Sequence, residues 1–326
     1  MMNKAIAISP GKIILFGEHF VVRGSKALVA AIDLYAKVEI EESQWPAEII
    51  SKGTNIRGKI TSDLKLIGSK ELEPFAKILS VLKTWGFQIS PFKAIISSEI
   101  PMSAGLGSSA ASAAAFSLAY TALLGYKLND KELFSLSHEA EKVTHGNPSG
   151  VDSAAVTYGG ISVYKRDAGI LSKINSLFSD NYSLIVADTG IKRSTSVPVR
   201  DVLLLSEKLW PVLSLIYDVA DRIIDLANEA INNSDYETLG NLMNINQGLL
   251  NSIGVSSSEL EEVIYRSRSA GAIGAKLTGA GRGGSIIILS PSNKINNVLE
   301  RIKCCTNWAS KLKISQQGAN LISMGY

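Results

Sequence analysis

Apolar residues at Phe75, Ile78, Leu79 and Leu82 recur at helical spacing and stop at Gly86, which predicts a helix over Glu73–Trp85. A second stripe, Leu133, Leu136, Ala140 and Val143, follows Asn129-Asp130-Lys131-Glu132 and closes at Gly146. Its opening reads as a capping box and its glycine as a stop, so both ends carry local signals. Between the two, Ala110–Leu124 is rich in alanine and free of proline, a helix that begins near Ser108. Lys37-Val38-Glu39-Ile40-Glu41 alternates with the period of a strand. Ala5–Ile8, Lys12–Phe16 and Phe20–Val22 join it as strands and hairpins, with turn signals at Pro10-Gly11 and Gly24-Ser25. Phe92–Ser97 is a further strand, leading into a Gly/Ser-rich turn.

Around Arg166–Asn181 the pattern weakens into a mixed polar stretch, which places a domain boundary between 1–175 and 176–326. Beyond it come a strand at Tyr182–Ala187 and helical patterns over Asp201–Ser269. A glycine loop between strands, a helix near Asn293–Cys304 and a last strand near Asn320–Ser323 complete the chain. Strands and helices in both halves predict an α+β architecture.

Composition narrows the class. At 326 residues the chain is long enough for two domains with a sizeable core, and 19% charged residues mark it as globular. A net charge of +3 without a basic block argues against a nucleic-acid partner. Mean hydropathy is slightly positive, yet no apolar run approaches the roughly 18 residues that span a bilayer. The first residues lack the pattern of a secretory signal, and the adjacent Cys304 and Cys305 are poorly placed to staple the fold. These features predict a reduced, cytoplasmic protein without a membrane partner. No Cys/His cluster has metal-ligand spacing.

Candidate chemistry begins at Pro101-Met102-Ser103-Ala104-Gly105-Leu106-Gly107-Ser108-Ser109-Ala110. A helix start presents unpaired N–H groups and partial positive charge, and glycines let a phosphate approach them. Gly279-Ala280-Gly281-Arg282-Gly283-Gly284 satisfies a dinucleotide fingerprint formally, but it opens the strand Ser285–Leu289 where a Rossmann loop opens a helix. Ser9-Pro10-Gly11-Lys12 and Ser179-Asp180-Asn181 match two signatures of serine acyl-enzymes; Pro10-Gly11 makes the required helix improbable, and the third signature is broken at Lys276-Leu277-Thr278-Gly279. Glu141 falls in a last helical turn, where an acid opposes the helix dipole, a small violation of the kind that accompanies function.

Four segments then stand in order: Pro10-Gly11-Lys12-Ile13-Ile14-Leu15-Phe16-Gly17-Glu18-His19, the Ser-rich turn, Glu141–Asp152 with its Asn147-Pro148-Ser149-Gly150-Val151-Asp152 run, and Lys276–Ile287. Together they resemble the motifs of the GHMP small-molecule kinases, with wording most similar to the mevalonate kinase branch. The resemblance spans Pro10 to about Leu289. It implies the two-domain GHMP kinase fold, an N-terminal mixed α/β nucleotide-binding domain followed by a C-terminal ferredoxin-like α+β domain. It implies ATP and Mg2+ as cofactors, mevalonate as substrate, a place in isoprenoid synthesis and a homodimer.

By the same resemblance Asp152 is the catalytic base and Lys12 its charge partner. Pro101, Ser103, Ala104, Gly105, Leu106, Gly107, Ser108, Ser109 and Ala110 hold ATP. Ser109 and Glu141 bind the metal, with Ser108 close enough to exchange roles with Ser109. Lys12, Glu18, His19, Asp152, Arg193 and Thr195 meet the substrate, and Gly279, Ala280 and Gly281 support the nucleotide site. Galactokinase is disfavoured, because Phe20-Val21-Val22 stands where its sugar-recognition wording would be.

Overall fold

The computed structural model describes residues 4–101, 104–174, 181–191 and 196–325. The N-terminal half runs β1 (Lys4–Phe16), β2 (Lys26–Glu42), β3 (Ala47–Ser51), β4 (Arg57–Ile60), β5 (Leu66–Gly68), α1 (Glu73–Thr84) and β6 (Phe92–Ser98). It continues with α2 (Ser108–Leu123), α3 (Asp130–His145), α4 (Val151–Tyr158), β7 (Ile161–Lys165) and β8 (Gly169–Ile174). The chain then passes to β9 (Tyr182–Asp188), α5 (Ser196–Lys208), α6 (Trp210–Asn232), α7 (Tyr236–Ser252) and α8 (Ser258–Ser269). It closes with β10 (Gly274–Leu277), β11 (Ser285–Pro291), α9 (Ile295–Ile302), β12 (Trp308–Leu312) and β13 (Asn320–Gly325).

The first sheet has the order β13-β1-β2-β6-β3-β4-β5, with β7 on β2 and β8 on β7. β1 alternates in burial over its first residues and is buried throughout from Ser9 to Phe16, because α2 and α4 pack against it there. The second sheet, β10-β11-β9-β12, is antiparallel throughout. Numbered along the chain, its strands lie in the order 4-1-3-2, with helices after the first and third, the ferredoxin-like arrangement expected of the C-terminal half. Helices α6 and α7 join the sheets: α6 packs on β1 and β2, and α7 on β1 and β10. One apolar cluster accordingly contains Ile13 and Leu15 with Val186, Ile224, Met243 and Ile287.

Several sequence expectations are corrected. Pro10-Gly11 is not a turn but a register shift inside one continuous strand, where Pro10 faces Tyr35 and Gly11 faces Ile32. A bulge accommodates a residue that cannot donate to the ladder. Phe20–Arg23 is a 3-10 turn and not a strand; Gly17 and Gly24, at φ 101° and 93°, bend the chain on either side of it. Four apolar or half-apolar residues cannot be assigned by periodicity alone. The weak stretch after Arg166 holds β8, which pairs back on β7 as a hairpin, and β12 carried no recognised signal. The last strand does form, and it returns to pair antiparallel with β1 in the first sheet.

Candidate active site

The cradle is built on backbone geometry. Gly105 and Gly107 both take φ 78°, in the left-handed region that glycine enters at little cost. Gly107 precedes α2 without a side-chain cap, so the opening N–H groups of a 16-residue helix face the turn. A Cβ at Gly107 would lie 2.7 Å from Cγ of Lys12. The turn is clamped from both sides: the Lys12 backbone N–H donates to the Leu106 carbonyl at 2.8 Å, and Ser285 Oγ donates to the Ala104 carbonyl at 2.7 Å. The first and last of the four segments thus grip the second. Ser108 is half-buried and Ser109 exposed as α2 begins, and Ser103 lies outside the described residues.

Asp152 stands in the first turn of α4, where sequence had suggested only a constrained turn. Lys12 Nζ is 2.8 Å from Asp152 Oδ1, with the lysine side chain 4% exposed and the aspartate 29%. The ammonium is sunk behind the carboxylate, and the carboxylate faces outward. Glu141 is buried next to this pair and accepts a hydrogen bond from Ser153 Oγ at 2.5 Å. Burial, and after it the charge of Asp152, push its carboxyl up to about 8, against the pull of Ser153 and Lys12.

The approach to α4 is held by Tyr164, whose hydroxyl donates to the Ser149 carbonyl at 2.9 Å. A Cβ at Gly150, φ 85°, would fall 2.3 Å from that hydroxyl oxygen, so the close contact needs glycine. Arg166 donates to the Val22 carbonyl at 3.2 Å and also bonds the Asn147 side chain.

The turn at Gly17-Glu18-His19 completes the near wall, with His19 at φ 63°. His19 Nε2 is 3.0 Å from the Ala280 carbonyl, which ties it to the glycine loop. Thr278 Oγ1 accepts from the Ile14 amide and donates to the Ile14 carbonyl, both at 3.0 Å. Glu18, assigned to the substrate by resemblance, has no exposed side-chain surface and pairs with the fully buried Lys276. Lys276 also donates to the Leu277 carbonyl at 2.7 Å and lies 5.9 Å from the Phe16 ring centre. Burial raises the Glu18 carboxyl and lowers the Lys276 ammonium, and each partner opposes that by favouring the other's charge. In this geometry Glu18 fixes the turn from behind.

Thr189 donates through its amide and its hydroxyl to the Gly284 carbonyl, each at 3.0 Å, so the segment leading toward Arg193 starts against the glycine loop. Arg193 and Thr195 lie outside the described residues. Arg282 bridges to Asp201 on α5 at 2.6 Å, and a Cβ at Gly281 would collide with the Val255 carbonyl at 2.0 Å. Sequence reasoning passed over Lys276, Thr278, Ser285, Ser153, Tyr164 and Arg166. Lys276 had a signal: a lysine inside a short apolar strand is buried only when paired.

Comparison with known proteins agrees with this arrangement. Residues 74–160 match the N-terminal domain of the GHMP kinases, and residues 227–306 match their C-terminal domain. Mevalonate kinase from Aeropyrum pernix is 40% identical over 326 residues, covering 98% of this chain and 99% of that protein. Its counterpart from Pyrococcus furiosus is 34% identical and covers 98% of each. Among solved structures, L. major mevalonate kinase in complex with R-mevalonate superposes with a TM-score of 0.80 at 31% identity, over 98% of this chain and 97% of that one. Methanococcus jannaschii mevalonate kinase gives a TM-score of 0.82 at 30% identity, over 95% and 98%. With the four segments joined by direct contacts and relatives matched from end to end, the chain belongs to the mevalonate kinases of the GHMP kinase superfamily.

Proposed function

We propose that this protein transfers the γ-phosphoryl group of ATP to the 5-hydroxyl of mevalonate, the kinase step of isoprenoid synthesis that bears mevalonate's name. The observation that carries the reading is the 2.8 Å contact of Lys12 with Asp152 beside the clamped cradle. Phosphoryl transfer to an alcohol needs the donor held, the developing charge neutralised and the hydroxyl proton removed. The N–H groups from Gly105 to Ala110 hold the phosphates. Asp152 accepts the hydroxyl proton, and Lys12 pairs with that carboxylate and stabilises the phosphoryl oxygens. His19 lines the acceptor side, with Arg193 and Thr195 assigned there from sequence.

Magnesium fits the residues at hand. It prefers oxygen ligands and fills its shell with water and phosphate, so few protein groups are needed. Glu141 supplies a buried carboxylate beside Asp152, and burial first and that neighbouring charge second disfavour its ionised form when no cation is near. Glu141 and Ser109 would hold the ion, which when bound neutralises charge on the phosphates. The proposal extends to two structural units, 1–175 and 176–326, a cytoplasmic location and a homodimer.

A coupled ADP-release assay with mevalonate, phosphomevalonate, homoserine and galactose tests the substrate. Mevalonate alone should turn over; activity on another member with none on mevalonate rejects the reading.

Glu141 also makes the folded protein pH-sensitive. Its proton stays on in the folded state at pH values where the unfolded chain, near 4.5, has lost it. The folded state therefore binds more protons between these values, and without divalent ions stability falls as pH rises from about 4.5 toward about 8. Glu141→Gln should flatten that slope in thermal melts and raise the magnesium requirement of the kinase. A slope unchanged in the variant would assign it to another group.

Arg193→Lys is expected to raise the Michaelis constant for mevalonate by an order of magnitude or more. A guanidinium grips the substrate carboxylate through two parallel bonds, and an ammonium cannot reproduce the fork. Losing one charged bond of roughly 1.5–3 kcal/mol corresponds to about 10- to 150-fold. The constant for ATP should hold. Unchanged mevalonate kinetics would mean that the carboxylate is bound elsewhere.

A further inference from the structure

Two parts of the proposed site come from distant stretches of the chain, His19 on the turn after β1 and Asp152 at the start of α4. The end of β7 reaches both. β7 follows α4 through Gly159-Gly160, each at φ 65°, and runs back beside it. Five strand residues rise about 16 Å and eight helical residues about 12 Å, so the end of β7 comes back to the level of the first turn of α4. Its last residue, Lys165, pairs with Lys26, where β2 starts just past the Phe20–Arg23 turn.

Arg166, half-buried, stands at this crossing and forks. Nη1 donates to the Val22 carbonyl at 3.2 Å, and Nη2 donates to Asn147 Oδ1. Val22 in turn donates its N–H to the His19 carbonyl at 3.2 Å. Asn147 opens the loop to Gly150, whose carbonyl accepts the Ala154 N–H at 2.9 Å as α4 begins. One guanidinium thereby joins the backbone of the His19 turn to the loop that sets where α4, and Asp152 with it, starts.

We propose that Arg166 is a positioning residue for phosphoryl transfer: its fork fixes the spacing between the His19 wall and Asp152, so that the acceptor hydroxyl is presented to its base. The inference rests on the proposed function and adds a residue that acts through others. A rigid planar fork spans two oxygens on separate segments, whereas a lysine ammonium is a compact point charge on a flexible stem. Displacing reacting groups by about 1 Å can cost about a hundredfold in rate. The phosphate cradle is clamped independently, by the Lys12 N–H and Ser285 Oγ.

Steady-state kinetics of Arg166→Ala, with nucleotide affinity measured by calorimetry, tests the role. The turnover number should fall by about 10- to 100-fold while nucleotide affinity stays within about twofold. Arg166→Lys should recover only part of the loss. Asn147→Ala, which cuts one arm of the fork in an exposed loop, should show the same split at smaller size and serves if Arg166→Ala does not fold. In an Asp152→Asn background Arg166→Ala should cost no more than about threefold further, because no base is left to place; general loosening would cost the same in both backgrounds. Wild-type turnover in Arg166→Ala, equal losses in the two backgrounds, or a nucleotide affinity that falls with turnover would overturn the role of Arg166 and leave the proposed function standing. A wild type that does not phosphorylate mevalonate rejects both.

Discussion

Asp152→Asn should lower the turnover number by about a hundredfold or more while leaving ATP affinity nearly intact, the range for losing a positioned acid–base group. The amide has nearly the same shape but cannot accept the hydroxyl proton, and it removes the charge that Lys12 faces at 2.8 Å. In the proposed site the nucleotide is assigned to a different element, the turn that Lys12 N–H and Ser285 Oγ clamp through the Leu106 and Ala104 carbonyls. Steady-state kinetics with separate Michaelis constants for ATP and mevalonate, together with nucleotide titration by calorimetry, checks both halves. If the variant shifts only the magnesium dependence, the roles of Asp152 and Glu141 are exchanged.

Lys276→Met should cost roughly 3–5 kcal/mol of stability, the loss typical of removing one partner from a buried ion pair. Both side chains of the pair are without exposed surface, so Glu18 would be left charged and unsolvated or forced to take a proton. Protonation is the cheaper course, and it sets the pH dependence. Burial already raises the Glu18 carboxyl above the ordinary 4.5, and without Lys276 nothing in the pair pulls it back. The variant's folded state then holds a proton that its unfolded state releases, so the deficit should grow as pH rises above about 4.5. Urea titrations at pH 5 and pH 8 read this out. Glu18→Gln added to Lys276→Met should recover much of the loss, because the orphaned charge is gone. A single variant as stable as the wild type at both pH values would show that the pair contributes nothing to holding the turn.

What could be read from the sequence divides along a physical line. Helices α1 and α3 were legible because their stripes and caps are local, and the capping box at Asn129 forms with both of its reciprocal bonds. The cradle was legible because glycine and serine before an alanine-rich run report a backbone requirement directly. Lys12, Glu141 and Asp152 came from motif resemblance, since nothing near each of them in the chain says that they meet. The ion pair of Glu18 was not legible either, since its partner is a lysine 258 residues away. Phe20–Arg23 and Pro10-Gly11 went wrong for a related reason: long-range packing, not local preference, decides whether a short apolar run is strand or turn. The helix carrying Asp152 was missed because its eight residues are too few to show a period.

The most direct test is to incubate the purified protein with ATP, magnesium and mevalonate and to follow the products by phosphorus NMR. A phosphomonoester resonance split by the two protons of carbon 5, appearing in step with ADP, is the result expected. A phosphoester on the tertiary 3-hydroxyl, which has no such splitting, or ADP accompanied only by inorganic phosphate, would contradict the account.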